Sequence, residues 1–399
     1  MNILVVNPGS ATLKFNVYQT NGKIFNSLIY GHISLLGENA VIKIQTPTTK
    51  IKETCKVYTH EEGIKLFMQI FQAKYPQNLD CISFRVVHGG NFTEPQEVKS
   101  TKKVVFQLAQ TLTKAHADGL IKTVEFFQKY YLNTPQYFDF DTIFHQTMPE
   151  KNKLYPLPLN LSQDLNIKKF GFHGLSHQYI ANRAKTLFGN NIIIISCHLG
   201  SGSSISSIVD GKSYDNSMGL TPTAGVMMST RSGDIDPSII TYIQNELKLK
   251  PNKIDELLNK HSGLLAISSD SDCKRIEDRM HAGDPKAKLA LDMLINSYVK
   301  EIGKQIFQLG NKIKPDLSNL KIIFTAGIGE NSAYIRSQVI SHLSFLGIKL
   351  DEKLNQNLTT NEQKISHLKS TAEVWVIPTN EELVVAQDTF NYLKNNPKI

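Results

Sequence analysis

The sequence predicts an α/β chain of two related domains, and three observations predict it. Two short apolar runs, Ile3 to Val6 and Ile192 to Ile195, each lead through a small-residue turn into an alternating strand; they lie about half a chain apart. Two more apolar runs, in "LKIIFTAGIGENS" (320–332) and "EVWVIPTNEEL" (373–383), stop at small or polar residues before a helical pattern. Strands and helices therefore alternate, which is the α/β signature.

The first element is "NILVVNPGSATLKFNVYQTNGKIF", residues 2–25. Its apolar run breaks at Asn7-Pro8-Gly9-Ser10, alternation resumes through Tyr18, and Asn21-Gly22 marks a second turn. "NIIIISCHLGSGSSISSIVDGKSY", residues 191–214, repeats the design, with a turn from His198 to Ser204 and Gly211-Lys212 matching Gly22-Lys23. Between the halves, "PEKNKLYPLPLN" (149–160) holds three prolines and little helical pattern, so it reads as a link with the boundary near Glu150. The expected domains are 1–150 and 151–381, with a last helix, 382–399, crossing back to the first. A long helix is expected from about Asp284 to Leu309, a turn at Gly327-Ile328-Gly329, and a helix from Ser332 to about Leu346. Thr379 or Asn380 caps the last helix, with Glu381 and Glu382 in its first turn, where negative charge is favoured.

Composition narrows the function. Of 399 residues, 41% are hydrophobic and 20% charged, as in an ordinary globular protein. The formal charge of +8 comes from lysines spread along the chain rather than from a basic cluster, so nucleic acid is not expected as a partner. No apolar run is long enough to span a bilayer, and the chain opens directly into a strand, so no membrane partner is expected and a cytoplasmic location is. Cys55, Cys81, Cys197 and Cys273 are far apart, without zinc-ligand spacing, and read as reduced thiols.

Several motifs fail on inspection. Gly211-Lys212-Ser213 lacks the first glycine of a P-loop, since Ser206 stands there. Neither Gly200-Ser201-Gly202 nor Gly327-Ile328-Gly329 completes a dinucleotide fingerprint, which argues against a dehydrogenase. His173 and His177 lack the glutamate of a zinc protease, so a structural or substrate role fits His173 better than a metal. What remains is a set of small-residue turns after apolar strands, "NPGSATLK", "HLGSGSS" and "TAGIGENS". Such turns expose backbone N–H groups that, with hydroxyls, cradle phosphate oxygens, and Lys14 adds a point charge. Ionisable groups stand out in "SFRVVHGG", "FDTIFHQTMP", "FGFHGLSH" and "MMSTRSGDIDPS". Arg85 lies in an apolar run, where an unpaired charge is costly; it either meets a protein carboxylate or awaits an anion.

Taken together, "FDTIFHQTMP", "FGFHGLSH", "CHLGSGSSI", "GLTPTAGVMMSTRSGDIDP", "FTAGIGENSAYIR" and "IPTNEELVVAQDT" resemble the acetate kinase family, in order, from residue 2 to about 390. The resemblance implies a fold of the sugar kinase, Hsp70 and actin (ribonuclease H-like) type, two duplicated domains holding a nucleotide in the cleft between them, and a homodimer. It implies reversible phosphoryl transfer from ATP to acetate, giving ADP and acetyl phosphate with Mg²⁺, for which Mn²⁺ can substitute. A propionate kinase is the near alternative, and a non-catalytic actin-like ATP-binding protein the remote one. Carried onto this chain, the resemblance assigns Arg85, Asp141, His173 and Arg231 to catalysis. Asp141 is an orienting or Mg²⁺-linked carboxylate, because acetate is already ionised at pH 7 and needs no general base. Arg85 and Arg231 hold the carboxylate and the migrating phosphoryl group, and His173 donates a hydrogen bond to that group. Ser10, Thr12, Lys14, His198, Leu199, Gly200, Ser201 and Gly202 face the phosphates; Gly327, Ile328, Gly329 and Asn331 lie against the adenosine; Asn7 and Glu381 organise the metal. Val87, Ala115, Phe172 and Pro222 wall the methyl pocket. The chain departs from the family at Phe84, Ala11, Thr12 and Ser201, and Ala115 stands where the family usually has leucine, which predicts better tolerance of propionate.

Overall fold

The structure is a computed structural model that describes residues 1–9, 12–34, 37–397, without the side chains of Ala115 and His116. The chain folds into two units, one comprising Met1–Ile143 and Asn380–Ile399, the other Phe144–Thr379. The helix Glu381–Asn395 thus belongs to the N-terminal unit.

Among the described residues, the first unit holds eight strands: β1 Asn2–Pro8, β2 Thr12–Thr20, β3 Phe25–Ser34, β4 Gly37–Gln45, β5 Lys50–Val57, β6 Cys81–Val86, β7 Gln96–Glu97 and β8 Gln136–Phe140. Their order in the sheet is β5-β4-β3-β2-β1-β6-β8-β7. The second unit holds six: β9 Ile193–Leu199, β10 Ser203–Val209, β11 Lys212–Asn216, β12 Leu320–Thr325, β13 Gln363–Lys364 and β14 Glu373–Val376, in the order β11-β10-β9-β12-β14-β13.

The duplication read from the hairpins extends through both sheets. β3-β2-β1-β6-β8-β7 matches β11-β10-β9-β12-β14-β13 in order, and each matched pair runs in the same sense. β1/β2 and β9/β10 are antiparallel, β1/β6 and β9/β12 parallel, β6/β8 and β12/β14 parallel. Even the two-residue edge strands β7 and β13 pair antiparallel in the same place. The parallel strands are covered on both faces, which is why Ile3 to Val6 and Ile193 to Ile195 are continuous apolar runs, all buried. Each sheet packs helices onto its own core. In the first unit Phe15 of β2 stacks on Phe67 of the helix His60–Lys74, with ring centroids 4.3 Å apart. In the second, the helix Pro285–Leu309 buries Leu291, Leu294, Tyr298 and Ile302.

Two local expectations change. After β12 there is no glycine turn: a short helix runs Ala326–Asn331 and a second runs Ala333–Ser341. Ala326 takes the left-handed conformation, Glu330 reaches back to accept its N–H at 2.7 Å, and the Ser332 hydroxyl accepts the Ile335 N–H to start the second helix. The proline-rich link also carries helices, Glu150–Lys153 and Leu159–Asp164, each preceded by proline (Pro149 and Pro158). Proline suits a helix start because no intrahelical N–H is lost there. The long helix begins at Pro285, with Asp284 as its cap. Asn380, rather than Thr379, caps the last helix, accepting the Leu383 N–H at 3.0 Å.

Candidate active site

In the first unit, the carboxyl ends of three neighbouring parallel strands bring Asn7, Arg85 and Asp141 together. Val6 is level with Phe84 across β1 and β6, and Arg85 is level with Asp139 across β6 and β8. Asn7 and Arg85 follow one residue past the β1/β6 register, and Asp141 lies just beyond β8. The Arg85 guanidinium is forked onto Asp141, Nε donating to Oδ1 at 3.0 Å and Nη2 to Oδ2 at 2.6 Å; its Nη1 donates to Asn7 Oδ1 at 3.2 Å. Glu381, at the start of the last helix, lies 3.8 Å from Arg85 Nε. Asn7 Nδ2 in turn donates to Glu382 Oε1 at 3.3 Å. Of the two possibilities for Arg85, the protein carboxylate is the one found, and such two-point pairs are the strong ones. Burial lowers the Arg85 pKa, but Asp141, Glu381 and Glu382 outweigh it and hold the guanidinium firmly charged.

Lys14 is opposite Asn7 in the β1/β2 register. Burial opposes its charge, and Glu382 with Glu381 prevails, so its pKa is raised. Its other neighbour, His32, is pushed down to about 4 by burial and by Lys14 and Lys43. The set therefore holds three carboxylates (Asp141, Glu381, Glu382) against two cations (Arg85, Lys14), an excess of one negative charge among hard oxygen donors. That donor set suits a hard divalent cation. The sequence reading named Asn7 and Glu381 as organisers of a metal; Glu382, the next residue, adds a third oxygen donor by accepting from Asn7 Nδ2. Gly9 N–H donates to the Thr12 carbonyl at 2.8 Å, and a Cβ on Gly9 would meet Thr12 Oγ1. Ser10 lies outside the described residues, as does the Ala115 side chain. Val87 follows β6 in this unit.

In the second unit, a tight β9/β10 turn faces an array of histidines. Gly200 N–H donates to the Gly202 carbonyl and to Ser203 Oγ, each at 3.2 Å. His198 and Leu199 end β9, and Ser201 is exposed at the tip. The neighbouring strand β12 ends level with His198 at Thr325, and a Cβ on Gly200 would lie 3.8 Å from Ala326 Cβ. The glycine turn and the helix Ala326–Asn331, carrying Gly327, Ile328, Gly329 and Asn331, are thus neighbours. Arg336, buried at 1% exposure, anchors that helix by donating to the carbonyls of Gly329 and Glu330 at 2.9 and 3.0 Å.

His173 caps the helix Gly174–Phe188 from the left-handed region, φ 54°. For a side chain with a Cβ this costs about 1–2 kcal/mol, and the cost aims the ring. His173 stacks on His198 with centroids 4.1 Å apart and 20° between planes. A Cβ on Gly202 would meet His173 Nε2 and Arg231 Nη1, each at 3.4 Å, so both groups converge on the turn. The described hydrogen-bond partners of Arg231 are neutral, the Pro222 carbonyl at 3.1 Å and Met228 Sδ at 3.8 Å. Burial pulls its pKa down. Phe172 and Pro222 are buried in this unit.

The sequence reading left His145 without a role. Its Nε2–H donates to the Phe172 carbonyl at 3.0 Å, and its Nδ1 meets Ser213 Oγ at 2.7 Å. Asn216 Nδ2 donates to the same carbonyl at 3.2 Å. Burial pushes His145 down to about 3, so the ring is neutral and holds the turn that carries His173.

These features have parallels in known proteins. The acetokinase family model matches residues 2–387. The acetate kinase of Carboxydothermus hydrogenoformans is 38% identical over 406 residues, covering 99% of this chain and 100% of that one. That of Staphylococcus saprophyticus is 38% identical over 401 residues, covering 98% of each. Among solved structures, a propionate kinase from Francisella tularensis superposes with a TM-score of 0.87 at 35% identity, covering 98% of this chain and 99% of that one. The Porphyromonas gingivalis acetate kinase gives 0.83 at 32% identity, with the same coverage. On a match that runs almost from end to end, the chain belongs to the acetokinase family.

Proposed function

We propose that this protein reversibly transfers the γ-phosphoryl group of ATP to the carboxylate of acetate, giving acetyl phosphate and ADP, by direct in-line transfer. The observation that carries the reading is Arg231. It is a partly buried guanidinium with neutral described partners, set at a glycine turn beside His173 Nε2. A cation in that setting is stabilised by an anion, and phosphoryl transfer places charge on three equatorial oxygens. In this reading Arg231 and His173 meet the migrating group. The glycine turn at Gly200 to Gly202 holds the phosphates and the helix Ala326–Asn331 takes the adenosine, while Lys14 in the first unit is a cation suited to an anionic ligand.

Asp141 is committed to the Arg85 fork, which suits an orienting carboxylate and not a base. Acetate requires none. Arg85, once neutralised by Asp141, offers the carboxylate less net charge than Arg231 does, so its share is positional: it fixes Asn7 and Asp141. Asn7, with Glu381 and Glu382, would hold Mg²⁺ or Mn²⁺ directly or through water. The ion, when bound, supplies neutralisation of phosphate charge.

The test is ATP-dependent acyl phosphate formation, trapped with hydroxylamine, with acetate, propionate and butyrate side by side. Acetate turnover above propionate supports the reading. Propionate preference, in keeping with Ala115 and with the Francisella tularensis neighbour, keeps the mechanism and changes the substrate. Tight ATP binding without product from any acid would replace it with a nucleotide-binding protein, and a phosphorylated enzyme on the productive path would overturn direct transfer.

The working form is a homodimer in the cytoplasm. The helix Pro237–Leu247 has no buried residue yet carries Ile239, Ile240, Tyr242 and Leu247, 37–67% exposed, which suits a second copy better than water. Light scattering should give twice the chain mass, and Tyr242→Glu half of that. All four cysteines are free thiols, as a reducing compartment favours.

A further inference from the structure

His173 caps the helix Gly174–Phe188, His177 lies in its first turn, and one serine hydroxyl joins them. Ser204 Oγ lies 2.9 Å from His173 Nδ1 and 2.7 Å from His177 Nε2. The other nitrogen of His177, Nδ1, lies 2.9 Å from Ser196 Oγ. Ser196, His177 and Ser204 are each 0% exposed. Ser196 is on β9 and Ser204 on β10, so the sheet holds both hydroxyls.

The proton positions follow from counting donors. A serine hydroxyl has one proton to give, and among the described residues the partner of the Ser196 hydroxyl is His177 Nδ1. If Nδ1 held a proton, the Ser196 proton would be buried with no acceptor. Ser196 therefore donates, and His177 Nδ1 is bare. A neutral imidazole with a bare Nδ1 carries its proton on Nε2. His177 is neutral because it is fully buried and faces His145 and His198, ring centroids 5.7 and 6.2 Å away, and not a carboxylate among its described partners. Its Nε2–H donates to Ser204, whose own proton then goes to His173 Nδ1.

We propose that Ser196, His177 and Ser204 form a one-way hydrogen-bond relay that fixes His173 in the tautomer with its proton on Nε2, aimed at the Gly202 turn. They are positioning residues. The relay supplies a hydrogen-bond donor at Nε2 of the neutral His173 ring, so donation does not depend on capturing a proton from solution. The described groups facing His173 include the stacked His198, His177 through Ser204, and Arg231 Nη1 across the Gly202 turn. Its value to catalysis rests on the reading of His173 as a phosphoryl donor given above; the tautomer itself does not.

The experiment is long-range ¹H–¹⁵N spectroscopy of the full chain labelled with ¹⁵N-histidine, without substrate, at a pH where His173 is neutral. The His173 and His177 signals are assigned by His→Gln variants. Both rings should show the Nε2–H pattern. In Ser204→Ala, His173 should become a mixture of tautomers and kcat should fall roughly tenfold or more with little change in KM. Ser204→Thr keeps the hydroxyl and should restore both the spectrum and kcat, and Ser196→Ala should release the His177 tautomer. A proton on His173 Nδ1 in the unmodified protein, or a His173 pattern indifferent to Ser204→Ala, overturns the relay. If the tautomers are as stated but His173→Ala retains full kcat, the relay stands and the phosphoryl role of His173 falls.

Discussion

Two arginines assigned alike from the sequence should respond oppositely to removal. In Arg85→Ala, Asp141, whose side chain is 0% exposed, loses a guanidinium bonded at 2.6 and 3.0 Å and stays beside Glu381 and Glu382. Breaking a buried pair by deleting one partner costs about 3–5 kcal/mol. For a unit of this size each kcal/mol moves the midpoint about 2–4 °C, so unfolding should shift down by roughly 6–20 °C. Arg231→Ala removes one bond to the Pro222 carbonyl and a contact to Met228, both neutral, and strands no described carboxylate. Its stability change should stay within about 1 kcal/mol. Its kcat/KM should nevertheless drop by about 10²–10³, the usual consequence of deleting a preorganised group that meets transition-state charge. Calorimetric melting of both variants beside the hydroxylamine assay separates the two effects. Equal melting shifts for the two variants, or an Arg85→Ala protein as stable as the original, would refute this division between a structural and a ligand-facing arginine.

Other outcomes follow from single features. Asp139 is fully buried, its Oδ2 without a hydrogen-bond partner among the described residues, and burial with Asp388 and Asp141 raises its pKa well above the usual carboxyl value. The folded state thus holds its proton more tightly, so its contribution is present below the unfolded pKa and lost as pH rises through the folded one. Asp139→Asn should flatten that decline and gain about 1–3 kcal/mol on its alkaline side; denaturant titrations across pH measure it. Gly119→Ala would put a Cβ 2.6 Å from the Gly9 carbonyl oxygen, a backbone atom that cannot swing aside. It should displace the Lys14 hairpin and cost up to about 10² in kcat/KM, read by steady-state kinetics with ATP. Ala115→Leu should depress propionate use relative to acetate by up to about 10–200-fold, and an unchanged ratio would mean that residue 115 does not wall the pocket.

The fold was legible because it is written in local patterns. Apolar runs, Asn-Gly and Gly-Lys turns and the matched hairpins need only neighbours in sequence, and they sufficed for two duplicated α/β units. Local caps also overrode one pattern: Glu330 and Ser332 split the segment after β12 into two helices where a glycine turn was expected. The site was legible as a set of residue types, yet not as a set of partners. Arg85 and Asp141 are 56 residues apart, and Asn7 and Glu382 are 375 apart. Nothing in the sequence distinguished the arginine that finds a carboxylate from the one whose described partners are neutral. The direction of the histidine chain was equally hidden, since it depends on how many acceptors surround the Ser196 hydroxyl in space. Strand and turn propensities are set by the chain's own covalent geometry and burial period, so the sequence alone determined them. Charge balance and proton position depend on which groups the sheet brings within about 3 Å of each other, and only the tertiary structure decided those.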